Sequence, residues 1–176
     1  MRKPAALILL LFILALLAGC GTPPAVGEGA RENAVPEDFS FALTWGAYGI
    51  SSYDSKTGRL VKTDDATEPE NYVTSHTLSD AEKAYIYETI LALDIASYPE
   101  EYDPHRGVMS SPSMTLVLTV EMNGTEKTVR AEKICMSFES EDKQGQRFLS
   151  ACRVISEMLM ATPEWNALPD YEHYYL

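Results

Sequence analysis

The sequence predicts a single α+β domain in which an antiparallel sheet of four to five strands carries two helices packed on one face. Segments with an apolar residue at every second position occur early in the chain and again in its middle, which is the period of a half-buried strand. Two other stretches repeat apolar residues every three or four positions, as a helix does. The order strands, helix, hairpin, helix is typical of α+β domains.

The strands of the first half are short and lie between turn-rich stretches. Residues 39–45 alternate strictly and predict the first strand. Residues 50–53 lead into a turn at 54–58, and residues 59–63 predict the second or third strand. Residues 72–74 predict a short edge strand. The apolar positions of the first strand are Phe39, Phe41, Leu43 and Trp45.

The first helix begins at a capping box, the pairing of Ser79 with Glu82 three residues later. It ends near Ala96, before Pro99. The second helix covers residues 142–161 and stops before Pro163, because proline cannot continue a helix. The apolar stripes of the two helices are Ile86, Ile90 and Leu93 in the first, and Phe148, Cys152, Ile155 and Leu159 in the second.

A hairpin is the clearest element in the chain. Residues 114–120 and 125–131 both alternate, and Asn123-Gly124 lies between them. Asn-Gly suits the tight turns of hairpins because both of its residues tolerate positive φ. The sequence therefore predicts two long antiparallel neighbours in the middle of the chain.

The N-terminal residues 1–19 predict a secretory signal. Arg2 and Lys3 form a basic head, and residues 5–18 are an apolar run too short for a stable membrane span of roughly 20 residues. Leu17-Ala18-Gly19-Cys20 resembles the lipobox of bacterial lipoproteins, which implies cleavage before Cys20 and lipidation of its sulfur. Two acyl chains hold a protein stably on a membrane. We therefore expect a lipid-anchored protein at the outer face of the cell membrane.

The rest of the chain divides into a tether and a domain. Residues 20–38 hold the lipidated cysteine and a glycine- and proline-rich tether, and residues 39–176 are long enough for one domain with its own core. Cleavage removes 2 of 14 basic residues and no acid, which leaves 12 basic against 26 acidic side chains, a net charge near −14. Such a surface repels nucleic acid, so nucleic-acid partners are excluded.

Two cysteines besides Cys20 leave two alternatives open. Cys135 and Cys152 could form a disulfide outside the cytoplasm, or they could be separate buried thiols that act as small apolar side chains. The C-x-x-C spacing of redox and zinc sites is missing.

No motif assigns a catalytic residue, a metal site or a cofactor. The chain lacks the G-x-S-x-G elbow of hydrolases, and its three histidines lie in separate segments. Tyrosines concentrate in predicted loops and ends, where a broad ring with a polar tip suits recognition. We therefore predict a contact surface from the 48–53 segment and the 98–112 loop. Its residues are Trp45, Tyr48, Tyr53, Tyr98, Tyr102 and His105.

Several segments resemble a group of lipoproteins from Gram-positive gut bacteria to which no activity is assigned. They are residues 39–46, 48–55, 111–116 and 168–172. The resemblance implies one domain and an envelope location, and it implies no site residue.

The leading functional hypothesis is a non-enzymatic binding or accessory domain with a protein or glycan partner. Two alternatives stay open. One is an envelope hydrolase that acts on glycans through acids such as Glu101 or Asp103, and the other is a protein inhibitor of a secreted enzyme.

Overall fold

Six strands form one antiparallel sheet in the computed structural model, which describes residues 34–174. The strands are β1 Ser40–Trp45, β2 Ser51–Asp54, β3 Arg59–Val61, β4 Val73–Ser75, β5 Met114–Met122 and β6 Thr125–Ile134. Their order across the sheet is β4-β3-β2-β1-β5-β6, so β1 pairs with β2 on one side and with β5 on the other. The α+β class is confirmed, and the sheet has six strands where the sequence predicted four to five.

Three helices accompany the sheet: α1 Asp80–Leu93, α2 Lys143–Met160 and the single turn α3 Pro163–Asn166. Two 3₁₀ turns, Pro69–Tyr72 and Ile95–Ser97, precede β4 and follow α1. The predicted capping box is confirmed, since Ser79 Oγ accepts from the Glu82 N–H (3.3 Å) and the Glu82 carboxylate accepts from the Ser79 N–H (2.8 Å). These bonds satisfy N–H groups that a helix start otherwise leaves unpaired.

The core lies between the helices and one face of the sheet. Alternate residues of β1 and β5 are buried there with the apolar stripes of α1 and α2 in one cluster. The opposite face of β1 and β5 carries smaller, partly exposed side chains such as Ala42, Thr44 and Thr119. The period-2 pattern of the strands therefore predicted correctly which side chains enter the core.

The two ends of the sheet are built differently. At one end, which we call the hairpin end, Asp38 accepts hydrogen bonds from the backbone N–H groups of Asn123 (3.0 Å) and Gly124 (2.6 Å). At the other, the loop end, the Tyr48 N–H donates to the Ser113 carbonyl (3.0 Å). The nine residues of β5 span eight steps of ~3.4 Å, so these ends lie about 27 Å apart along the strand.

The segment after α2 is held at the β4 edge of the sheet. Trp165 of α3 is buried and stacks on Trp45 with ring centroids 5.7 Å apart. The Tyr72 hydroxyl donates to the Asp170 carbonyl (2.9 Å), and the Glu172 carboxylate accepts from the Thr67 N–H (2.9 Å). The C-terminal residues are thus tied to the chain around β4.

The predicted signal, the lipobox residues Leu17, Ala18 and Gly19, the lipidated Cys20 and most of the tether lie outside the described residues. Val35, from the end of the predicted tether, is partly buried against the core. Within residues 34–174, no helix has both the length and the apolar character needed to cross a membrane.

Candidate functional site

Half of the predicted contact surface is buried, and for these residues the prediction is wrong. Trp45, Tyr53 and Tyr98 belong to the core. Their polar tips meet backbone carbonyls: the Tyr53 hydroxyl donates to His76 (3.0 Å) and the Tyr98 hydroxyl to Gln144 (2.9 Å). A tyrosine can be buried when its hydroxyl finds such a partner, so position in a strand end or loop did not make these rings accessible.

Tyr102 is also occupied by internal packing. Its ring makes edge contacts with Tyr98 (5.1 Å) and Phe148 (5.6 Å), and its hydroxyl lies 3.4 Å from Asp142 Oδ2. Burial, with the nearby Asp142 charge, raises the pKa of the Tyr102 phenol well above its ordinary value, so it stays a donor. Of the six predicted contact residues, Tyr48 is exposed and His105 is partly buried at a groove.

An exposed apolar patch lies at the loop end. It consists of Tyr48, Val108, Met109 and Met136, exposed by 54%, 59%, 72% and 47%, and we call it the apolar lip. Two hydrogen bonds bring its segments together at the loop end: the Met136 N–H donates to Ser110 Oγ (2.8 Å), next to Met109, and the Tyr48 N–H donates to the Ser113 carbonyl (3.0 Å). Exposed large apolar side chains that gather in one place mark interaction surfaces more often than scattered ones do.

A groove of about 530 Å³ runs beside the apolar lip, between residues 104–108 and residues 135–142. Its two walls are joined by hydrogen bonds: His105 Nε2 to the Ser137 carbonyl (3.1 Å), and Ser140 Oγ to the Pro104 carbonyl (2.6 Å). The volume is within the range of small-ligand sites, roughly 300–1,000 Å³. The groove can therefore accept one or two side chains of a partner.

The first wall is a loop shaped by its own side chains. The Asp103 carboxylate accepts from the backbone N–H groups of His105 (2.9 Å) and Gly107. This loop also presses on the start of α2, since a Cβ on Gly145 would stand 2.6 Å from the Pro104 carbonyl oxygen. Glycine is required at this close approach, and it fixes the position of the groove on the helix.

Asp142 holds the second wall and the start of α2. Its carboxylate accepts from the Gly145 N–H (2.8 Å) as the N-cap of the helix, and it forms an ion pair with Arg106. The Gly145 hydrogen bond and the Arg106 guanidinium hold the pKa of Asp142 below its ordinary value. Asp142 is therefore charged at neutral pH and joins both walls.

His105 has one ring nitrogen left over. Nδ1 is buried without a hydrogen-bond partner, while Nε2 faces the Ser137 carbonyl. A carbonyl can only accept, so Nε2 carries a proton in this hydrogen bond. The imidazole thus connects the two walls through Nε2.

The two cysteines of the domain are free thiols, so the disulfide that the sequence left open is absent. Cys152 is fully buried on α2, and burial raises the pKa of its thiol. Cys135 follows β6 and lines the groove, where it is partly exposed. The thiols differ in accessibility and belong to different parts of the fold.

A second polar cluster, which we call the histidine joint, was missed by sequence reasoning. His76 is buried, with Nδ1 3.3 Å from Glu164 Oε2 and Nε2 3.7 Å from Glu82 Oε1. Neither ring nitrogen has a hydrogen-bond partner. The joint connects the chain after β4 with α1 and α3, and residues so far apart in sequence gave no signal of their meeting.

The sequence predicted Tyr48 of the apolar lip by residue and Val108 and Met109 only as part of the 98–112 loop, and it did not predict Met136. Val108 and Met109 are adjacent apolar residues in an otherwise polar loop, and that irregularity was the available signal.

Among residues 34–174, no group of three or more His, Cys, Asp or Glu side chains is placed to hold a metal ion. Comparison with family models, curated proteins and solved structures gives no match.

Proposed function

We propose that this protein is a lipid-anchored, non-catalytic binding domain of the cell envelope that captures a protein segment at its loop end. The apolar lip carries the proposal, because exposing Val108, Met109 and Met136 together favours association and has no use inside the domain. Methionine is unbranched and adapts to differently shaped partners. The adjoining groove adds a concave surface into which side chains of the partner can insert.

The position of the apolar lip supports this proposal. The described chain enters the sheet at the hairpin end, where Asp38 precedes β1. The apolar lip lies at the other end, about 27 Å along β5. A domain anchored through Cys20 would therefore present the apolar lip away from its point of attachment.

A protein partner fits this surface better than a glycan does. Sugar rings stack on exposed aromatic faces. The rings of Trp45, Tyr53 and Tyr98 are buried, so Tyr48 is the one aromatic residue of the apolar lip, beside Val108, Met109 and Met136. Of the acids suggested for hydrolysis, the Asp103 carboxylate accepts two backbone N–H groups and shapes its own loop, while Glu101 is exposed and its backbone pairs with Arg130 in an isolated bridge beside β6. The hydrolase therefore has no observation in its favour, and inhibition of a secreted enzyme would be one form of protein capture.

Site-specific photocrosslinking in the native envelope tests the proposal. A photoreactive phenylalanine analogue replaces Met109 in the full-length protein, and a matched one replaces Leu91, which is 40% exposed on α1. We expect an adduct with a protein partner from position 109 and none of the same mass from position 91. Met136→Asp, which places a charge in the apolar lip, should abolish the adduct.

The control for folding is Tyr85→Asp. Tyr85 is 52% exposed on α1, so this variant adds the same charge outside the apolar lip and should keep the adduct. Equal adducts from positions 109 and 91, or none from 109, would contradict the binding function.

A further inference from the structure

The groove is acidic after its internal ion pair is counted. Glu139, Glu141 and Asp142 contribute three negative charges to its lining and Arg106 one positive charge, so the carboxylates and the guanidinium together carry a net charge of −2. Asp142 is the carboxylate that Arg106 neutralises. Glu139 and Glu141 are exposed, and within residues 34–174 neither has an ion-pair partner.

The apolar lip and these two carboxylates border the same groove. Val108 lies on the wall formed by residues 104–108, and Glu139 and Glu141 lie on the wall formed by residues 135–142. A segment lying in the groove would meet Val108 on one wall and the negative charge of Glu139 and Glu141 on the other, where exposed Met136 lies near the start. The groove already holds one guanidinium, that of Arg106 on Asp142, so this geometry accommodates an arginine beside a carboxylate.

We infer that the groove binds a basic, amphipathic peptide segment of a partner protein, in which Lys or Arg alternates with large apolar residues. This inference rests on the proposed function and names the chemistry of its partner. The apolar side chains contact Val108, Met109 and Met136, while the cations pair with Glu139 and Glu141. Charge complementarity of this kind raises the rate of encounter and selects among partners.

Other occupants fit less well. An anionic membrane surface or a nucleic acid would bring phosphates against Glu139 and Glu141, which repel them. An acidic peptide would meet the same repulsion. A purely apolar segment would leave both carboxylates facing apolar atoms, and desolvating a charge without a partner is unfavourable.

Binding of defined peptides to the full-length protein in detergent tests the inference. Three fluorescein-labelled ten-residue peptides are compared by anisotropy: alternating Leu-Lys, alternating Leu-Glu and alternating Ser-Lys. We expect the Leu-Lys peptide to bind at least about tenfold more tightly than either of the others, since exposed ion pairs contribute only ~0.2–1 kcal/mol each and need the apolar contact. The Leu-Lys peptide should also slow alkylation of Cys135, measured by mass mapping of the labelled protein, because this thiol lines the groove.

Two double variants with the same change of net charge identify the site. Glu139→Gln with Glu141→Gln should weaken binding of the Leu-Lys peptide about fivefold or more, because two exposed ion pairs of ~0.2–1 kcal/mol each are lost. Glu88→Gln with Glu157→Gln, at exposed helix positions, should leave its affinity within about twofold. Equal weakening by both pairs would show non-specific attraction to an acidic protein and overturn the inference.

The remaining outcomes separate the inference from the proposed function. Tighter binding of the Leu-Glu peptide, or of phosphatidylglycerol vesicles, than of the Leu-Lys peptide would overturn the basic partner. If the position-109 crosslink still forms in the envelope, the binding function survives that result. Loss of the crosslink overturns the binding function itself, whatever the peptides do.

Discussion

The groove and the histidine joint contain the same kinds of side chain and differ in what surrounds them. Each places an imidazole with an unpartnered ring nitrogen near carboxylates. The groove opens to solvent beside exposed apolar residues and is held by bonds from side chains to backbone. The joint buries its imidazole between two partly exposed carboxylates that belong to separate elements. Exposure and apolar neighbours therefore distinguish a recognition surface from a structural connection.

The largest expected effect comes from breaking the groove at Gly145. Gly145→Ala places a Cβ against the Pro104 carbonyl, which is backbone and can yield only if the loop moves. We expect the free energy of unfolding to fall by about 1–3 kcal/mol, as for other overpacked sites, and the Leu-Lys peptide to bind less. Urea unfolding checks the first part and peptide anisotropy the second.

The control is Gln144→Ala at the neighbouring exposed helix position. It should change the free energy of unfolding by less than about 0.5 kcal/mol, as surface substitutions do. Equal stability of the Gly145 and Gln144 variants would show that the loop does not need its close approach to α2.

A substitution in the histidine joint should lower the stability of the protein and leave its affinity for peptide unchanged. His76→Ala removes a buried ring that packs on Tyr53 with ring centroids 6.2 Å apart, and we expect the free energy of unfolding to fall by about 2 kcal/mol, as for other large-to-small changes at buried positions. Affinity for the Leu-Lys peptide should stay unchanged. Thermal unfolding and anisotropy measure the two quantities.

A double-mutant cycle with Glu164→Gln sharpens this result. Glu164 is partly exposed, so we expect a coupling free energy of only about 0.5–1 kcal/mol between it and His76. A coupling of zero would remove Glu164 from the joint. Loss of peptide binding in His76→Ala would contradict the distinction between a groove that binds peptide and a joint that only stabilises the fold.

The smallest effect concerns pH. The folded protein holds the pKa of Asp142 below its ordinary value, mainly through the Gly145 N–H. A lowered pKa means that Asp142 contributes stability above its ordinary pKa of about 4, and that this contribution is lost as the pH falls toward the folded value. Asp142→Asn should therefore reduce the loss of thermal stability between about pH 5 and pH 3. A pH profile parallel to that of the original protein would contradict this role.

The sequence predicted elements that depend on local patterns and failed where distant segments meet. Asn123-Gly124, the capping box at Ser79 and the α2 stripe involve neighbours in the chain, and each formed as expected. Trp45 is a different case. Its alternating strand indicated burial, but its indole was also assigned to a contact surface, and the stack on Trp165 decides for the core.

The candidate site shows the same limit. Tyr48 lies near the end of the 98–112 loop, since its N–H donates to the carbonyl of Ser113, the residue that follows this loop. The second wall, residues 135–142, follows β6, and its approach to the loop depends on tertiary contacts such as Ser140 with Pro104. Local propensity contains no information about such contacts.

The place where the chain enters the sheet has a mechanical consequence. β1 is the first strand after the N-terminal segment, and it is hydrogen-bonded along its length to β2 and β5. A pull between an anchor on the N-terminal side and a partner at the loop end would run lengthwise along β1. Its hydrogen bonds would then bear the load together, in shear, instead of opening one after another. We expect such a strand to resist tension better than an edge strand would, which would serve the anchoring and capture proposed above.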